Sequence, residues 1–153
     1  MTPITFACEE TLPLAAEEIA ERMLSVANWT DFRGYGPLPG IRVAEFETRT
    51  PDVVGSRIRV TNRDGSSHVE KILQWQPGGA IRLTMTEFSP PLCRLATAFD
   101  ETWDFRKCEG GTHVTRTFQL HATSPLAKLP LRLIAVLLKK AIARHLRQMK
   151  FAS

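Results

Sequence analysis

The sequence lacks the features that mark extracellular, zinc-binding and membrane-spanning proteins. Its 153 residues include only three cysteines, Cys8, Cys93 and Cys108. They are widely spaced and odd in number and form no Cys-x-x-Cys pair, which argues against a disulfide framework and a zinc site. No apolar run approaches the roughly 18 residues that a membrane-spanning helix needs. The N-terminus has neither the basic start nor the apolar run of a secretory signal. We therefore expect a cytoplasmic protein.

Signatures of common catalytic sites are also missing. The sequence has no Gly-x-Ser-x-Gly elbow, no phosphate-binding loop and no Gly-x-Gly-x-x-Gly turn. The histidines stand apart, without a His-x-x-x-His or Glu-x-x-His pair; they are His68, His113, His121 and His145. We therefore expect neither a metal site nor a cofactor.

Acidic residues are absent from the C-terminal part of the chain. From Gly110 to Ser153 the sequence carries eight basic residues and no acidic one, although the whole chain has a net charge of only +4. Such a segment suits an anionic membrane, an acidic partner protein, or a solvated helix face near the acidic first helix. Nucleic acid is not expected, because no aromatic stacking platform or reading motif accompanies the charge.

The N-terminal part predicts a short strand, a helix and a connector. Ile4 to Cys8 is an apolar run typical of a strand. Leu12 to Ala27 predicts a helix, because apolar residues recur every three or four positions, Thr11 can cap the helix and Pro13 suits its first turn. Asn28 to Gly40 is rich in glycine and proline, which interrupt regular structure.

The connector also holds large apolar side chains that are unusual in a loop facing only water. They are Trp29, Phe32, Tyr35 and Leu38. Two interpretations remain open: these side chains pack beneath the connector, or they line the mouth of a pocket.

The middle of the chain alternates strand-like runs with turn signals. Asp64-Gly65 and Pro77-Gly78-Gly79 are strong turn signals. The predicted strands are residues 41–46, 57–62, 67–76, 80–88, 98–105 and 112–121. Connections this short join antiparallel neighbours, so the sequence predicts an antiparallel sheet of about seven strands, including the first.

The last segment predicts a long helix from Ser124 to Phe151, with Pro130 suggesting that regular helix begins only there. From Leu131 to Lys150 the rod would measure roughly 30 Å. One face is apolar and comprises Leu131, Ile134, Leu137, Leu138, Ala141, Ile142, Leu146 and Met149. A helix with such a face, directly after a hairpin, most simply lies across the sheet. A sheet that curves around it would enclose a cavity for an apolar molecule.

The order of elements resembles the START-like (SRPBCC) superfamily, with its helix-grip fold. The motifs that carry the resemblance are Trp29-Thr-Asp-Phe32, Trp75-Gln-Pro-Gly-Gly79, Trp103-Asp-Phe105 and Gly111-Thr-His-Val-Thr115. The chain is most similar to the bacterial polyketide cyclase/dehydrase and lipid-transport group. The resemblance implies an α+β fold and a single ligand-binding domain over residues 1–153. It also implies a lipid, hormone or polyketide ligand, and it assigns no catalytic residue.

The last predicted hairpin places two charged residues on a largely apolar face. Strand alternation puts Glu101 and Trp103 on one face of their strand and Arg116 on the matching face of the next. If Phe105 lies opposite Val114, Trp103 meets Arg116, and Glu101 lies diagonally beside it. Arg116 could then hold a ligand oxygen while its cation rests against Trp103. The alternatives are a structural ion pair, or a shifted register that leaves both charges in solvent.

His145 is the polar exception on the apolar face of the final helix. It is either a satisfied core residue or a pocket hydrogen-bond partner and proton carrier. The sequence thus predicts a set of ligand-binding residues in which Glu101 and His145 are also the catalytic candidates. The set is Tyr35, Met85, Phe99, Glu101, Trp103, Arg116, Phe118, Leu138, Ile142 and His145.

Three functions follow from these patterns. The first is a carrier or sensor of a hydrophobic small molecule. The second is a polyketide cyclase or dehydratase, with Glu101, His145 and Arg116 as acid/base and oxyanion groups. The third is docking on an anionic membrane or a partner protein through the basic helix. Against the third, the apolar face of that helix is expected to be committed to the core.

Overall fold

The computed structural model describes residues 1–151, which form a seven-stranded antiparallel sheet, two short strands and two α-helices. The elements are β1 (Ile4–Leu12), α1 (Ala16–Leu24), β2 (Gly34–Tyr35), β3 (Leu38–Pro39), β4 (Ile41–Thr48), β5 (Arg57–Asn62), β6 (Ser67–Trp75), β7 (Ala80–Thr86), β8 (Ala96–Cys108), β9 (Gly111–Ala122) and α2 (Lys128–Phe151). The order in the large sheet is β1-β9-β8-β7-β6-β5-β4. The predicted α+β class and strand number are confirmed.

The sheet and α2 share one hydrophobic core. Leu131, Leu138 and Leu146 of α2 are buried in the same cluster as sheet residues such as Phe118. At the edge of the sheet, the Cys8 thiol of β1 donates a hydrogen bond of 3.4 Å to the main-chain oxygen of Lys139. The prediction that the helix lies across the sheet in a helix-grip arrangement is confirmed.

The predicted boundary between the first strand and the first helix is wrong. β1 continues to Leu12, which is fully buried and pairs with Thr112 of β9, and α1 begins only at Ala16. Thr11 is a strand residue whose hydroxyl lies 3.1 Å from the His113 ring nitrogen, so it does not cap the helix. Pairing with β9 satisfies the backbone groups of this segment, which the N-terminus of a helix would leave unpaired. The pairing of β1 with β9 therefore keeps this segment in a strand, although its apolar residues have helical spacing.

The connector is partly regular. A 3-10 helix spans Val26–Asp31, and β2 pairs with β3 in a small separate hairpin. The main chain of Ile41, at the start of β4, donates a hydrogen bond of 3.0 Å to the carbonyl of Phe32. The connector is thereby held against the sheet.

Helix α2 begins at Lys128, between the two starting points that the sequence suggested. The hydroxyl of Ser124 accepts a hydrogen bond of 3.2 Å from the amide of Ala127, within a turn that precedes the helix. Pro130 lies in the first helical turn, where its missing N–H would have had no helical partner. Proline is therefore compatible with a helix that starts two residues earlier.

A second apolar surface lies on α2, away from the core. Its members are strongly exposed: Leu126 in the preceding turn by 90%, Leu129 by 74%, Leu133 by 65% and Val136 by 53%. We call these four residues the outer apolar surface. The apolar face that the sequence predicted does lie against the core, with Leu131, Leu138 and Leu146 buried, so the outer apolar surface is an additional one that the sequence analysis did not predict. Neither helix in residues 1–151 has the length and apolarity required to span a bilayer.

The β8–β9 hairpin has the register that the sequence predicted. Phe105 lies opposite Val114, and Trp103 lies opposite Arg116. The turn is made by Gly110 and Gly111, whose φ angles are 88° and 139°. A Cβ on Gly111 would overlap the carbonyl oxygen of Leu12, whereas a Cβ on Gly110 would have no atom within 4 Å. The end of β1 therefore packs directly on the hairpin turn.

These two glycines provide a test of that close packing. We expect G110A to reduce the free energy of unfolding by about 1–2 kcal/mol, the usual cost of a left-handed alanine. G111A should cost about 1–3 kcal/mol more, since its methyl group must displace backbone. Urea denaturation of both variants measures the difference. Equal losses would mean that the β1–α1 turn is not held against the hairpin.

Candidate ligand-binding site

A cavity of about 640 Å³ lies between the sheet and α2. Its wall is formed by residues of β4 to β9, the end of α1, the connector and the second half of α2. Aromatic and aliphatic side chains dominate the wall, among them Phe88, Phe99, Leu83 and Leu138. A cavity of this size and composition is typical of sites that enclose a small organic molecule.

The predicted charged pair lies in the wall of this cavity. Arg116 Nε donates a hydrogen bond of 2.6 Å to Glu101 Oε2, and Arg116 Nη2 lies 2.5 Å from the same oxygen. Only 6% of Arg116 and 3% of Glu101 are exposed. The guanidinium carbon of Arg116 lies 4.1 Å from the centre of the Trp103 ring, a cation–π contact that is strong when shielded from water. The alternative of a shifted register with both charges in solvent is therefore excluded.

Arg116 also determines the state of His145. Arg116 Nη1 lies 3.1 Å from His145 Nδ1. Because a guanidinium can only donate, Nδ1 must accept, and the ring proton of the neutral imidazole is on Nε2. Burial, reinforced by the adjacent Arg116 charge, lowers the pKa of His145 to about 3. At neutral pH, His145 is an uncharged hydrogen-bond donor whose remaining lone pair is already engaged.

The pKa of Glu101 is shifted in the opposite direction, above its usual value. Burial raises the pKa of Glu101 to about 7; the Arg116 charge opposes this effect and the nearby Glu70 carboxylate adds to it. Glu70 is itself buried and lies on β6, opposite Met85 of β7. Its carboxylate is 2.9 Å from Nε2 of His68. The cavity thus contains one carboxyl group that can exchange a proton near neutral pH.

Two polar atoms in residues that line the cavity have no hydrogen-bond partner among residues 1–151. They are Trp103 Nε1 and Gln148 Oε1. The Trp103 N–H lies near enough to Glu101 to favour its ionised form, but it makes no hydrogen bond of suitable length and angle. Unpartnered buried polar atoms are rare in proteins.

Comparison with known proteins agrees with this architecture. Residues 4–152 match the family model described as "Polyketide cyclase / dehydrase and lipid transport". The chain belongs to this family. The predicted START-like resemblance is therefore confirmed. No curated protein sequence matches the chain closely enough to refine the assignment.

Solved structures share the fold of this family member at low sequence identity. TTHA0849 from Thermus thermophilus is 16% identical, with a TM-score of 0.71 over 97% of this chain and 98% of that chain. The di-domain ARO/CYC BexL from the BE-7585A biosynthetic pathway is 16% identical, with a TM-score of 0.67 over 97% of this chain and 50% of that chain. Major latex-like protein 151 from Panax ginseng is 14% identical, with a TM-score of 0.62 over 95% and 98% of the two chains. At these identities the likeness establishes the fold alone.

The structure brings nearly all of the predicted site residues together. Nine of the ten line the cavity: Met85, Phe99, Glu101, Trp103, Arg116, Phe118, Leu138, Ile142 and His145. Tyr35 does not line it; its ring lies outside, 5.3 Å from Nζ of Lys140, and is 38% exposed. From the connector, Trp29, Phe32 and Leu38 do contribute to the wall, which supports the pocket interpretation for three of its four large side chains.

Among the polar wall residues that the sequence analysis missed are His68, Glu70 and Gln148. His68 and Glu70 are two positions apart on β6 and therefore share one side of the strand, as strand alternation would have shown. Gln148 lies one helical turn after His145, on the same side of α2. Each was detectable by extending the same periodicity to a neighbouring position.

The raised pKa of Glu101 predicts a specific pH dependence of stability. Between about pH 4.5 and pH 7 the folded protein retains a proton that the unfolded chain has released, so this carboxyl group destabilises the fold as pH rises. The full penalty, about 3 kcal/mol at a conversion of about 1.4 kcal/mol per tenfold change, is reached above about pH 7. The E101Q variant has an amide that does not ionise at this position, so the contribution of Glu101 to the pH dependence is absent from it. We therefore expect the unfolding free energy of the wild type minus that of E101Q to fall across this range.

Urea denaturation at a series of pH values measures this difference. The lowered pKa of His145 makes stability rise with pH below about pH 6.5, but His145 is present in both proteins and its contribution is shared. A difference that does not change with pH would contradict the assignment of the titrating group to Glu101.

Proposed function

We propose that this family member binds a hydrophobic small molecule, lipid-like or polyketide-like, between the sheet and α2, as a carrier or sensor. The observation that supports this most directly is the 640 Å³ cavity with its mainly apolar wall. Transfer of an apolar molecule from water into such a space is favourable in proportion to the area it buries. The family description, which joins polyketide chemistry with lipid transport, favours the same ligand class.

The polar groups of the cavity restrict the ligand further. His145 offers a permanent N–H donor at Nε2, for which residues 1–151 provide no acceptor. The ionised form of Glu101 matches the Arg116 charge, and in that state the wall does not require an anionic ligand. A largely apolar molecule with a neutral acceptor oxygen, such as a carbonyl or hydroxyl group, fits this arrangement. An apolar group in that position would leave the N–H without a partner, which is unfavourable wherever the bound ligand excludes water from it.

Native mass spectrometry of gently purified protein tests the binding function. We expect an additional mass in stoichiometric amount that is lost on denaturation and recovered in an organic extract. Met85→Trp, which places a larger side chain in the cavity wall, should abolish the additional mass. Val43→Trp provides the matched control, because Val43 does not line the cavity and is 39% exposed.

The binding proposal would be rejected if the wild-type protein carried no additional mass and also failed to bind an apolar fluorescent probe. Equal retention of the mass by both variants would show that the molecule is bound elsewhere. Thermal unfolding of each variant verifies that the fold is intact.

A second candidate is an enzyme of the cyclase or dehydratase type, which the near-neutral pKa of Glu101 favours. A group that titrates near pH 7 can both donate and accept a proton at working pH. His145 is not suited to the base role that the sequence suggested, because its Nδ1 lone pair is engaged by Arg116 and its pKa is lowered to about 3. In a reaction it would act as a hydrogen-bond donor, and proton transfer would depend on Glu101.

Glu101→Gln separates the two candidates. For an enzyme, we expect turnover of the bound compound to fall by a factor of about 100 or more, the usual contribution of an acid/base group. Binding should change only a few-fold, because the amide still accepts hydrogen bonds from Arg116. Turnover that is measurable and equal in both proteins would exclude Glu101 as the proton-transfer group. A ligand that is bound and never altered would support the carrier.

A further inference from the structure

The outer apolar surface of α2 is exposed although it is as apolar as a core face. Leu126, Leu129, Leu133 and Val136 follow one another at spacings of three and four residues, so they share one side of the helix. Each is at least 53% exposed, whereas Leu131 and Leu138 on the cavity side are buried. An exposed row of large apolar side chains is costly in water and marks an interaction surface.

Basic side chains border and extend this surface. Lys140, Arg144 and Arg147 continue the same side of α2 toward its C-terminus, at spacings of four and three residues. Arg132 and Lys139 flank it along one edge and are exposed. Among the described residues, the only ion pair made by α2 with a carboxylate is that of Lys150 with Glu10. The acidic residues of α1 therefore do not neutralise this side of the helix.

The chemistry of the surface favours an anionic lipid bilayer as its partner. A bilayer offers an apolar interior beneath a negatively charged layer, and both properties match a helix side that is apolar along one half and basic along the other. The same surface of a second protein copy is a less suitable partner, because it has no acidic residue between Gly110 and Phe151 that could face the basic side chains. Tyr35, outside the cavity and beside Lys140, adds an aromatic ring of the type found at lipid headgroup depth.

We propose that the outer apolar surface docks on an anionic membrane, with its apolar side chains at the acyl boundary and the neighbouring lysines and arginines among the headgroups. This surface faces away from the cavity, so docking leaves the ligand site unobstructed. The proposal requires no particular ligand and stands whether the chain is a carrier or an enzyme.

Vesicle flotation with the full chain tests the proposal. We expect binding to vesicles that contain phosphatidylglycerol, little binding to pure phosphatidylcholine, and a loss of binding as salt rises, because surface charge is screened. The double variant L129Q/L133Q should reduce the bound fraction by at least about tenfold, since two inserting side chains are lost. The double variant R132Q/K139Q should retain weak binding that is less sensitive to salt.

A matched control replaces two exposed apolar side chains that lie on the sheet and not on α2. Val43 and Leu73 are 39% and 40% exposed on strands of the sheet, so V43Q/L73Q changes hydrophobicity without altering α2. We expect this control to bind vesicles like the wild type. Far-ultraviolet circular dichroism and thermal unfolding confirm that all variants are folded. Native mass spectrometry shows independently whether each still carries a ligand.

Three outcomes would overturn the proposal. One is equal binding of the wild type to charged and neutral vesicles. Another is equal loss of binding by L129Q/L133Q and V43Q/L73Q. The third is a wild-type dimer that becomes monomeric in L129Q/L133Q, because the surface would then be occupied by a second protein copy.

Discussion

The burial of the Arg116 guanidinium in an apolar cavity is the constraint on which the rest of the site depends. A cation removed from water is stable only if its charge and its N–H groups are compensated. Glu101 supplies the charge, Trp103 supplies a ring face and His145 supplies a lone pair. These partners come from β8 and α2, whereas Arg116 lies on β9. The pairing of β8 with β9 and the packing of α2 on the sheet must therefore both be correct for the cation to be accommodated. The same contacts set the chemical state of each partner.

The groups that compensate Arg116 are partly withdrawn from other chemistry. The His145 lone pair is engaged by the guanidinium, and the guanidinium charge is matched whenever Glu101 is ionised. What remains is an N–H donor, a carboxyl group with a pKa of about 7 and a wide apolar wall. A mainly apolar wall with a few polar groups is the usual composition of a small-molecule binding site. Proton transfer through Glu101 nevertheless remains chemically accessible, which is why carrier and enzyme must be separated by experiment.

Helix α2 has one side in contact with the cavity and the opposite side exposed. Its inner side closes the cavity with Leu138, Ile142 and His145, and its outer side presents leucines and basic residues to the surroundings. A helix of 24 residues can do this because positions three and four apart share a side while intervening positions face elsewhere. The sequence pattern identified the apolar side that faces the core but missed the outer apolar surface. The connector likewise has apolar side chains in two environments, since Trp29 and Phe32 line the cavity whereas Tyr35 lies outside it.

Local patterning was sufficient to predict the antiparallel hairpins, the Trp103–Arg116 register, the long final helix and nine residues of the cavity wall, because these depend on periodicity and turn chemistry. The sequence by itself therefore determined the fold class and the mainly apolar character of the cavity wall. It could not place the end of β1, where pairing with the distant strand β9 prevailed over a helical pattern, nor exclude Tyr35 from the wall. Only the tertiary structure decided the proton positions and charge states, because the tautomer of His145 and the pKa values of His145 and Glu101 arise from burial and from contacts between residues far apart in the chain. It also showed that a second apolar side of α2 is left exposed, since exposure depends on which side meets the sheet.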